Sequence, residues 1–326
     1  MFNEDGSIVL VCNGEIYNYR ELRKELVASG HVFGTNCDVE VVLHLYEEYG
    51  PELLNRLNGQ FAICIYDKSR QRLFLARDQT GIAPLFYTVS QGVFIFASEI
   101  KAILKHPAVK VKVNLAGLDQ LLSFPGTVSP TTMFEGIHSL AAGHYMYVDG
   151  EGEAIREYWD LDYPQEADAV CVEKDEYYIE HLKELLKTAV SYRLNADVPV
   201  GFYLSGGLDS SLIAALMGKA DAGMERHSFS IGFPDSAIDE RRYRALMQPL
   251  TGARHHELLF DWEDIESRLR TAVFHAESPL KETYNTCSLA LSEEVRKSNI
   301  KVILTGEGAD ELFARYVGYR YEEERL

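Results

Sequence analysis

The sequence predicts two folded halves of different class, a β-rich α+β half followed by an α/β half with a doubly wound parallel sheet. Three observations carry this. Between residues 60 and 99 the chain breaks into short apolar runs, FAICIYD, RLFLARD, PLFYTV and VFIFASE, separated by turn residues, as neighbouring strands are. After residue 173 short apolar strands alternate with segments of helical spacing, which indicates parallel strands joined by helices. An acidic, proline-containing stretch at 160–168 separates the two patterns. The expected division is a first domain over 1–150, a linker over 151–172 and a second domain over 173–326.

In the first half, a turn at residues 3–6 leads into the strand SIVLVC and on to NGEIYNY, which places Asn13, Gly14 and Glu15 at a strand end. Helical spacing follows over 20–29 and 39–48 and continues over 51–57. Pro125-Gly126 and Ser129-Pro130 mark turns within 107–143, and LAAGHYMYVDG, 140–150, reads as a strand and a tight turn.

In the second half, residues 173–194 set Ile179, Leu182, Leu185, Leu186 and Val190 along one helical face. VPVGFYL, 198–204, is a strand, and helical spacing begins again at Ser211. HSFSIGF, ARHHELLF and KVIL supply further strands. His255 and His256 are adjacent on a strand and point to opposite faces, so a shared metal ion is not expected.

The loop between the first of these strands and its helix reads SGGLDS, 205–210. Gly206 and Gly207 let the backbone turn sharply with its N–H groups towards a ligand, and the helix adds the positive end of its dipole. Ser205 and Ser210 add hydroxyl donors, and Asp209 adds a carboxylate where a Mg²⁺ ion bridging phosphates would sit. Read alone, the same residues are equally an ordinary turn with Asp209 or Ser210 capping a helix. The G-x-x-x-x-G-K-[ST] spacing of the P-loop is absent. KVIL runs into TGEGADELF, 305–313, which again places carboxylates at a strand end, where open α/β sheets bind ligands.

Composition narrows the function classes. A formal net charge of −18 over 326 residues, with no basic patch, argues against a nucleic-acid surface. The five cysteines are odd in number and lack any C-x-x-C, so neither a disulfide frame nor a cysteine zinc site is suggested, and a reducing cytoplasm fits best. No run of about 18 apolar residues and no signal peptide is present, which predicts no membrane association.

Taken together, SGGLDSS and GEGADELF resemble the synthetase domain of the glutamine-dependent asparagine synthetases, in which SGGxDS is the pyrophosphate loop of the N-type ATP pyrophosphatases. NGEIYNY, LNGQFAICIYD, ARDQTGIAPLFY and FASEIKAIL resemble, in this order, the class II glutaminase domain of the same family. L-x-x-G-H followed by YW, at Leu140 and Tyr158, is similar to its inter-domain segment.

The resemblance implies an N-terminal-nucleophile hydrolase sandwich, αββα, and then an ATP-pyrophosphatase sheet, both partial. It implies that Asn13 and Gly14 form an oxyanion hole for glutamine's amide and that Glu15 and Asp38 hold its α-ammonium. It assigns the pyrophosphate to Ser205, Gly206, Gly207 and Ser210, and Mg²⁺ to Asp209 and Asp310. Tyr203, Leu204, Ile231, Thr305 and Gly306 would bind the rest of ATP, and Glu307 would stand near the reacting centre as a proton acceptor or orienting group.

The chain also departs from the family. The family nucleophile is an N-terminal cysteine, and residue one here is Met1, aligned with an internal family segment; neither Cys12 nor Cys37 is expected to substitute. Arg315 stands where the family has glycine. The expectation is a chain truncated at both ends, without glutamine hydrolysis of its own and with little complete synthesis. Alternatives are a β-lactam-synthetase-like enzyme, or a non-catalytic remnant that binds nucleotide. Small-molecule partners (aspartate, glutamine or ammonia, and ATP) are expected, and homo-oligomerisation is left open.

Overall fold

The computed structural model describes residues 1–163, 173–219, 225–235 and 239–313. The chain divides into two compact units, Met1–Cys171 and Val172–Leu326. Arg315 and the tail after Phe313 lie outside the described residues.

In the first unit, strand β1 (Ile8–Ile16) is followed by helix α1 (Tyr19–Ala28). A 3₁₀ turn (Asp38–Glu40) leads into α2 (Val41–Tyr49), and a second (Gly50–Asn55) follows it. Then come β2 (Gly59–Asp67), β3 (Arg72–Arg77), β4 (Phe86–Ser90) and β5 (Val93–Ala97), with short α3 (Ile100–Ile103) and α4 (Leu115–Ser123). The unit closes with β6 (His138–Ser139), β7 (His144–Asp149) and β8 (Gly152–Glu157).

Two antiparallel sheets result, in the orders β1-β2-β3-β7-β8 and β5-β4-β6. Their layering follows from the two-residue alternation of the strands. Phe61, Ile63 and Ile65 of β2, Phe74 of β3 and Tyr145 of β7 face Leu22, Leu26, Val41, Val42 and Leu45 of the helices. The intervening Ala62, Cys64, Leu75 and Met146 face Tyr87, Phe94 and Phe96 of the second sheet. Phe86, Ile95 and Ala97 on its far side meet Ile100 and Ile103 of α3. Helix, sheet, sheet and helix therefore stack in the expected αββα order. Each fully buried aromatic or aliphatic side chain contributes about 1.5–3 kcal/mol to that stack.

The ARDQTGIA stretch is the buckle between β3 and β4. Arg77 donates from Nε to the Ala83 carbonyl at 2.8 Å and from its two Nη atoms to the Leu140 and Gly81 carbonyls at 2.8 and 2.6 Å. Asp78, 1% exposed, accepts from the Phe61, Thr80, Ile82 and Ala83 N–H groups. The Asp78 carbonyl accepts from Gly143 N–H, and the Gly143 carbonyl from Tyr158 N–H, at 2.9 and 2.8 Å. LAAGHY and YW are thus bound into the first unit, and β8 lies at the edge of its larger sheet.

The second unit runs α5 (Asp175–Leu194), β9 (Val200–Tyr203), α6 (Leu208–Lys219), β10 (His227–Gly232), α7 (Arg241–Thr251) and β11 (Arg254–Leu259). It continues through α8 (Trp262–Ala276), α9 (Tyr284–Lys297), β12 (Val302–Leu304) and a single turn, α10 (Ala309–Leu312). All strand pairs are parallel, in the order β11-β10-β9-β12. From β9 the chain winds outward to one side through β10 and β11 and returns to the other side as β12. The switch point of this doubly wound sheet lies between β9 and β12, and ligands bind such sheets outside the strand ends at that point.

Two expectations need correction. Of the apolar stripe on α5 only Val190 is buried, while Ile179, Leu182 and Leu185 are exposed, because the helix meets the core of its unit at its C-terminal end alone, among the described residues. Helix α6 begins at Leu208 rather than Ser211, since Ser210 is held in the first turn by its own hydroxyl contacts. His255 and His256 do face opposite ways: His255 meets the Ser228 and Ser230 hydroxyls at 2.8 and 3.1 Å, and His256 meets His227 at 2.9 Å. Among the described residues no helix is long and apolar enough to cross a membrane.

Candidate functional site

The loop after β9 is tied by its own side chains. Ser205 and Ser210 hydroxyls are 2.8 Å apart, Gly207 N–H donates to Ser205 Oγ at 3.1 Å, and Ser211 N–H returns to the Gly207 carbonyl at 3.1 Å. Gly206 has φ +97°, and a β-carbon there would press on Tyr243 and Arg244 of α7 at 3.1 and 3.3 Å. Glycine is required for both reasons.

The loop after β12 meets this one directly. A β-carbon on Gly306 would stand 2.9 Å from the Asp209 β-carbon and 3.1 Å from the Ser210 nitrogen. Thr305 Oγ1 accepts from Glu307 N–H at 3.4 Å, Glu307 is exposed, and Asp310 lies in the single turn that follows Gly308. Two carboxylate-bearing loops, two hydroxyls and a helix N-terminus therefore share one end of the sheet. This is hard oxygen chemistry, the donor type that suits Mg²⁺ and its phosphate ligands.

Beside the loop lies a cavity of 240 Å³, lined among others by Tyr203, Leu204, Ser205 and Ile231. Those four expected residues are brought together there; Gly206, Gly207, Asp209, Ser210, Thr305, Gly306, Glu307 and Asp310 are outside its lining. The sequence reading missed Phe229, Glu240, Arg244 and one face of α9, Tyr284, Cys287, Ser288 and Leu291. The helix face was legible in principle, because 284, 287, 288 and 291 keep helical spacing.

Arg244 had no such signal, being one of three arginines in ERRYR. It is 5% exposed, pairs with Glu257 at 2.9 Å, and its buried Nε has no hydrogen-bond partner. The cavity thus carries an incompletely satisfied cation on its wall.

In the first unit Asn13, Gly14 and Glu15 are at the end of β1, as expected, still paired with Ala62, Phe61 and Gln60 of β2. A side chain at Gly14 would meet the Gln60 carbonyl at 2.1 Å, so β1 and β2 approach closely only because residue 14 is glycine. Asn13 Nδ2 donates to Ser98 Oγ at 3.1 Å, a contact the sequence reading did not assign although Ser98 is in FASEIKAIL. Asp38 Oδ2 accepts from Ile16 N–H at 2.7 Å, which brings it to the same strand end. The Cys12 thiol is pushed up to about 12 by burial and by its neighbours Asp38 and Cys37; burial also raises Cys37. Neither sulfur is an activated nucleophile.

Comparison with known proteins agrees with this architecture. A family model described as a glutamine amidotransferase domain matches residues 1–159, and one described as asparagine synthase matches 181–326. "Amidase chyE" of Penicillium rubens is 36% identical over 98% of this chain and 48% of its own length. "Asparagine synthetase [glutamine-hydrolyzing] 3" of Bacillus subtilis is 34% identical over 94% and 51%. A putative asparagine synthetase of Methanocaldococcus jannaschii is 33% identical over 97% and 61%. Among solved structures, a glutamine phosphoribosylpyrophosphate amidotransferase from B. subtilis superposes with a TM-score of 0.37 at 16% identity, covering 79% of this chain and 47% of its own.

The two family models define a glutamine amidotransferase module followed by a synthetase module. The chain belongs to the family of glutamine-hydrolysing asparagine synthetases. It spans about half the length of the relatives it matches.

Proposed function

We propose that the protein is an ATP-dependent carbon–nitrogen ligase of the type that converts aspartate to asparagine with ammonia from glutamine, and that this chain lacks complete glutaminase activity of its own, since neither Cys12 nor Cys37 is an activated nucleophile. The observation that carries this is the meeting of the SGGLDS and TGEGADE loops at the switch point of the parallel sheet, where Gly306 touches Asp209. In the proposed reaction a β-carboxylate oxygen of aspartate attacks the α-phosphorus of ATP, the bond to pyrophosphate breaks, and β-aspartyl-AMP forms. Ammonia then attacks the acyl carbon, AMP leaves, and the attacking nitrogen loses a proton.

The residues take separate roles in this reading. Ser205, Gly206, Gly207 and Ser210 hold the departing pyrophosphate, and the α6 N-terminus favours its charge. Asp209 and Asp310 would hold Mg²⁺, which when bound neutralises phosphate charge and fixes geometry. Tyr203, Leu204 and Ile231, on the cavity wall, receive the adenine, and Thr305 and Gly306, on the loop that meets Asp209 and Ser210, contribute to binding ATP from there. Glu307, exposed on the β12 loop, orients aspartate or accepts the proton from ammonia. In the first unit Asn13 and Gly14 polarise the glutamine amide while Glu15 and Asp38 hold its α-ammonium.

The test is pyrophosphate release by the full chain with aspartate, ATP and Mg²⁺, using ammonia and glutamine as alternative donors. Aspartate-dependent release with ammonia supports the reading. ATP binding with no release under either donor rejects it in favour of a nucleotide-binding protein. A second reading, the same chemistry on a different acceptor acid, is favoured by the 36% identity to a protein named as an amidase. A panel of amino acids and carboxylates in the same assay separates the two.

A further inference from the structure

Three stretches of the first unit that belong to neither candidate site bring nitrogen and oxygen donors to one point. Glu4 lies in the turn before β1, His31 just past α1, and His44 and Glu47 one turn apart on α2. His44 Nδ1 is 3.4 Å from Glu4 Oε2 and 3.2 Å from Glu47 Oε2. His31 Nδ1 is 3.2 Å from Glu4 Oε1 and 3.9 Å from Glu47 Oε2. One ligand atom from each of the four lies within 4.8 Å of all the others.

The imidazole–carboxylate separations of 3.2–3.9 Å lie close to those of a coordination shell, which small side-chain shifts would complete. Four ligands at about 2.0–2.2 Å from a tetrahedral ion stand about 3.3–3.6 Å from one another. Hydrogen bonding accounts for less of the arrangement, because an Nδ1 carries one proton at most and each ring faces two carboxylates. One hydrogen bond at each Nδ1, His31 to Glu4 and His44 to Glu47, both at 3.2 Å, leaves the second carboxylate facing each ring, and a cation between the four groups accounts for that.

The surroundings match as well. His31 Nε2 is 3.1 Å from Glu48 Oε1, the carboxylate-backed arrangement that orients a ligating imidazole. Glu4 Oε1 accepts from Val32 N–H at 3.0 Å, and Glu47 Oε1 from Asn3 Nδ2 at 2.7 Å, with Asn3 itself buried. His44 is 1% exposed and its Nε2 has no hydrogen-bond partner, so all of its polar contacts are directed at the cluster. Its ring packs on Phe33 and His31, at 4.5 and 4.7 Å between centroids, which fixes its orientation. Glu4 and Glu47 remain partly exposed, which leaves an entry path from solvent.

We propose that Glu4, His31, His44 and Glu47 form a tetrahedral site for a divalent transition metal of the Zn²⁺ class. Two imidazoles and two carboxylates select such an ion over Mg²⁺, which demands six oxygen ligands. Four protein ligands leave no open position, so the site is structural. It clips the N-terminal turn and the segment after α1 to α2, the layer against which β1 packs. The search for zinc ligands by cysteine spacing does not find it, because no cysteine takes part.

The test is to strip the full chain with a chelator, dialyse it and titrate it with Zn²⁺ against a chromophoric competitor. One saturable equivalent per chain at micromolar or tighter affinity, a raised thermal midpoint, and the visible absorption of a tetrahedral centre when Co²⁺ replaces Zn²⁺ are expected. His31→Asn and Glu4→Gln, at partly exposed positions, are expected to weaken Zn²⁺ binding by about tenfold or more while the metal-free protein keeps its far-UV spectrum. Absence of a saturable Zn²⁺ equivalent, or equal affinity in the parent and both variants, overturns the proposal and leaves an ion-paired imidazole–carboxylate cluster. If both variants lose their fold, the Co²⁺ spectrum of the parent chain decides: octahedral or absent absorption overturns it.

Discussion

Gly306 and Asp209 touch across the switch point: a β-carbon on the glycine would stand 2.9 Å from the aspartate's own β-carbon. The contact sets how closely the two carboxylate-bearing loops approach. Adding one methyl group forces the α6 N-terminus back, at a cost of about 1–3 kcal/mol. Gly306→Ala is therefore expected to slow aspartate-dependent pyrophosphate release by about tenfold to a hundredfold with the fold retained. Steady-state kinetics beside a circular dichroism spectrum checks this, and unchanged turnover rejects the role given to the contact.

Arg244 stands on the cavity wall with its Nε unsatisfied, ready to donate to an anionic or carbonyl group of a bound molecule. Arg244→Met keeps the volume and removes the cation. Nucleotide affinity is expected to fall by roughly tenfold, the worth of one charge-assisted hydrogen bond. Arg244 is buried and pairs with both Glu257 and Asp239, at 2.9 and 3.7 Å, so the urea midpoint of the variant is measured beside the affinity to separate lost binding from lost stability. Titration calorimetry with ATP distinguishes a binding role from a packing role.

These two residues also mark what the sequence could and could not convey. The first sheet was legible because FAICIYD and RLFLARD are short apolar runs bounded by turn residues, buried on both faces, and the phosphate loop because its glycines are dictated by local geometry. Helix α4 was hidden: Asn114 caps it by accepting from Ala116 N–H, but Gly117 interrupts its pattern in order to pack against the Thr132 carbonyl. β8 was hidden because all its residues are exposed and only pairing with β7 defines it. The metal-type cluster and Arg244 depend on side chains from separate segments, so spacing along the chain carries no trace of them.

Arg77 shows how a motif residue can be structural. Its three donor groups serve three backbone carbonyls at once, and burial lowers its pKa without neutralising it. Lysine offers a single point charge and cannot replace that fork. Arg77→Lys is expected to destabilise the first unit by about 2–4 kcal/mol through carbonyls left unsatisfied. The shift in the urea midpoint at constant slope measures it.

Cys12 points the other way, towards inertness. With its thiol pushed up to about 12 by burial, the thiolate fraction near pH 8 is smaller than that of an exposed cysteine by about three orders of magnitude. Iodoacetamide is expected to leave Cys12 unmodified in the folded protein and to label it after denaturation. Peptide mass mapping reads both states, and rapid labelling of native Cys12 would restore it as a candidate nucleophile.

The histidines of β11 give the second unit a pH dependence whose sign can be worked out. His255 lies between two buried hydroxyls, Ser228 and Ser230, and burial lowers its pKa from the ordinary 6.5. Burial likewise lowers His256, and the charge of His227 at 2.9 Å adds to the effect. Both rings are favoured neutral in the fold, so as pH falls the unfolded chain takes up protons first. Stability from these groups is complete above about pH 6.5 and is lost as pH drops below it towards the depressed folded values. The denaturation midpoint of the second unit is expected to fall between about pH 7 and pH 5. His255→Gln keeps hydrogen-bonding capacity towards the two serines and removes the titration, so it should flatten that slope; an unaltered slope would assign the pH dependence to other groups.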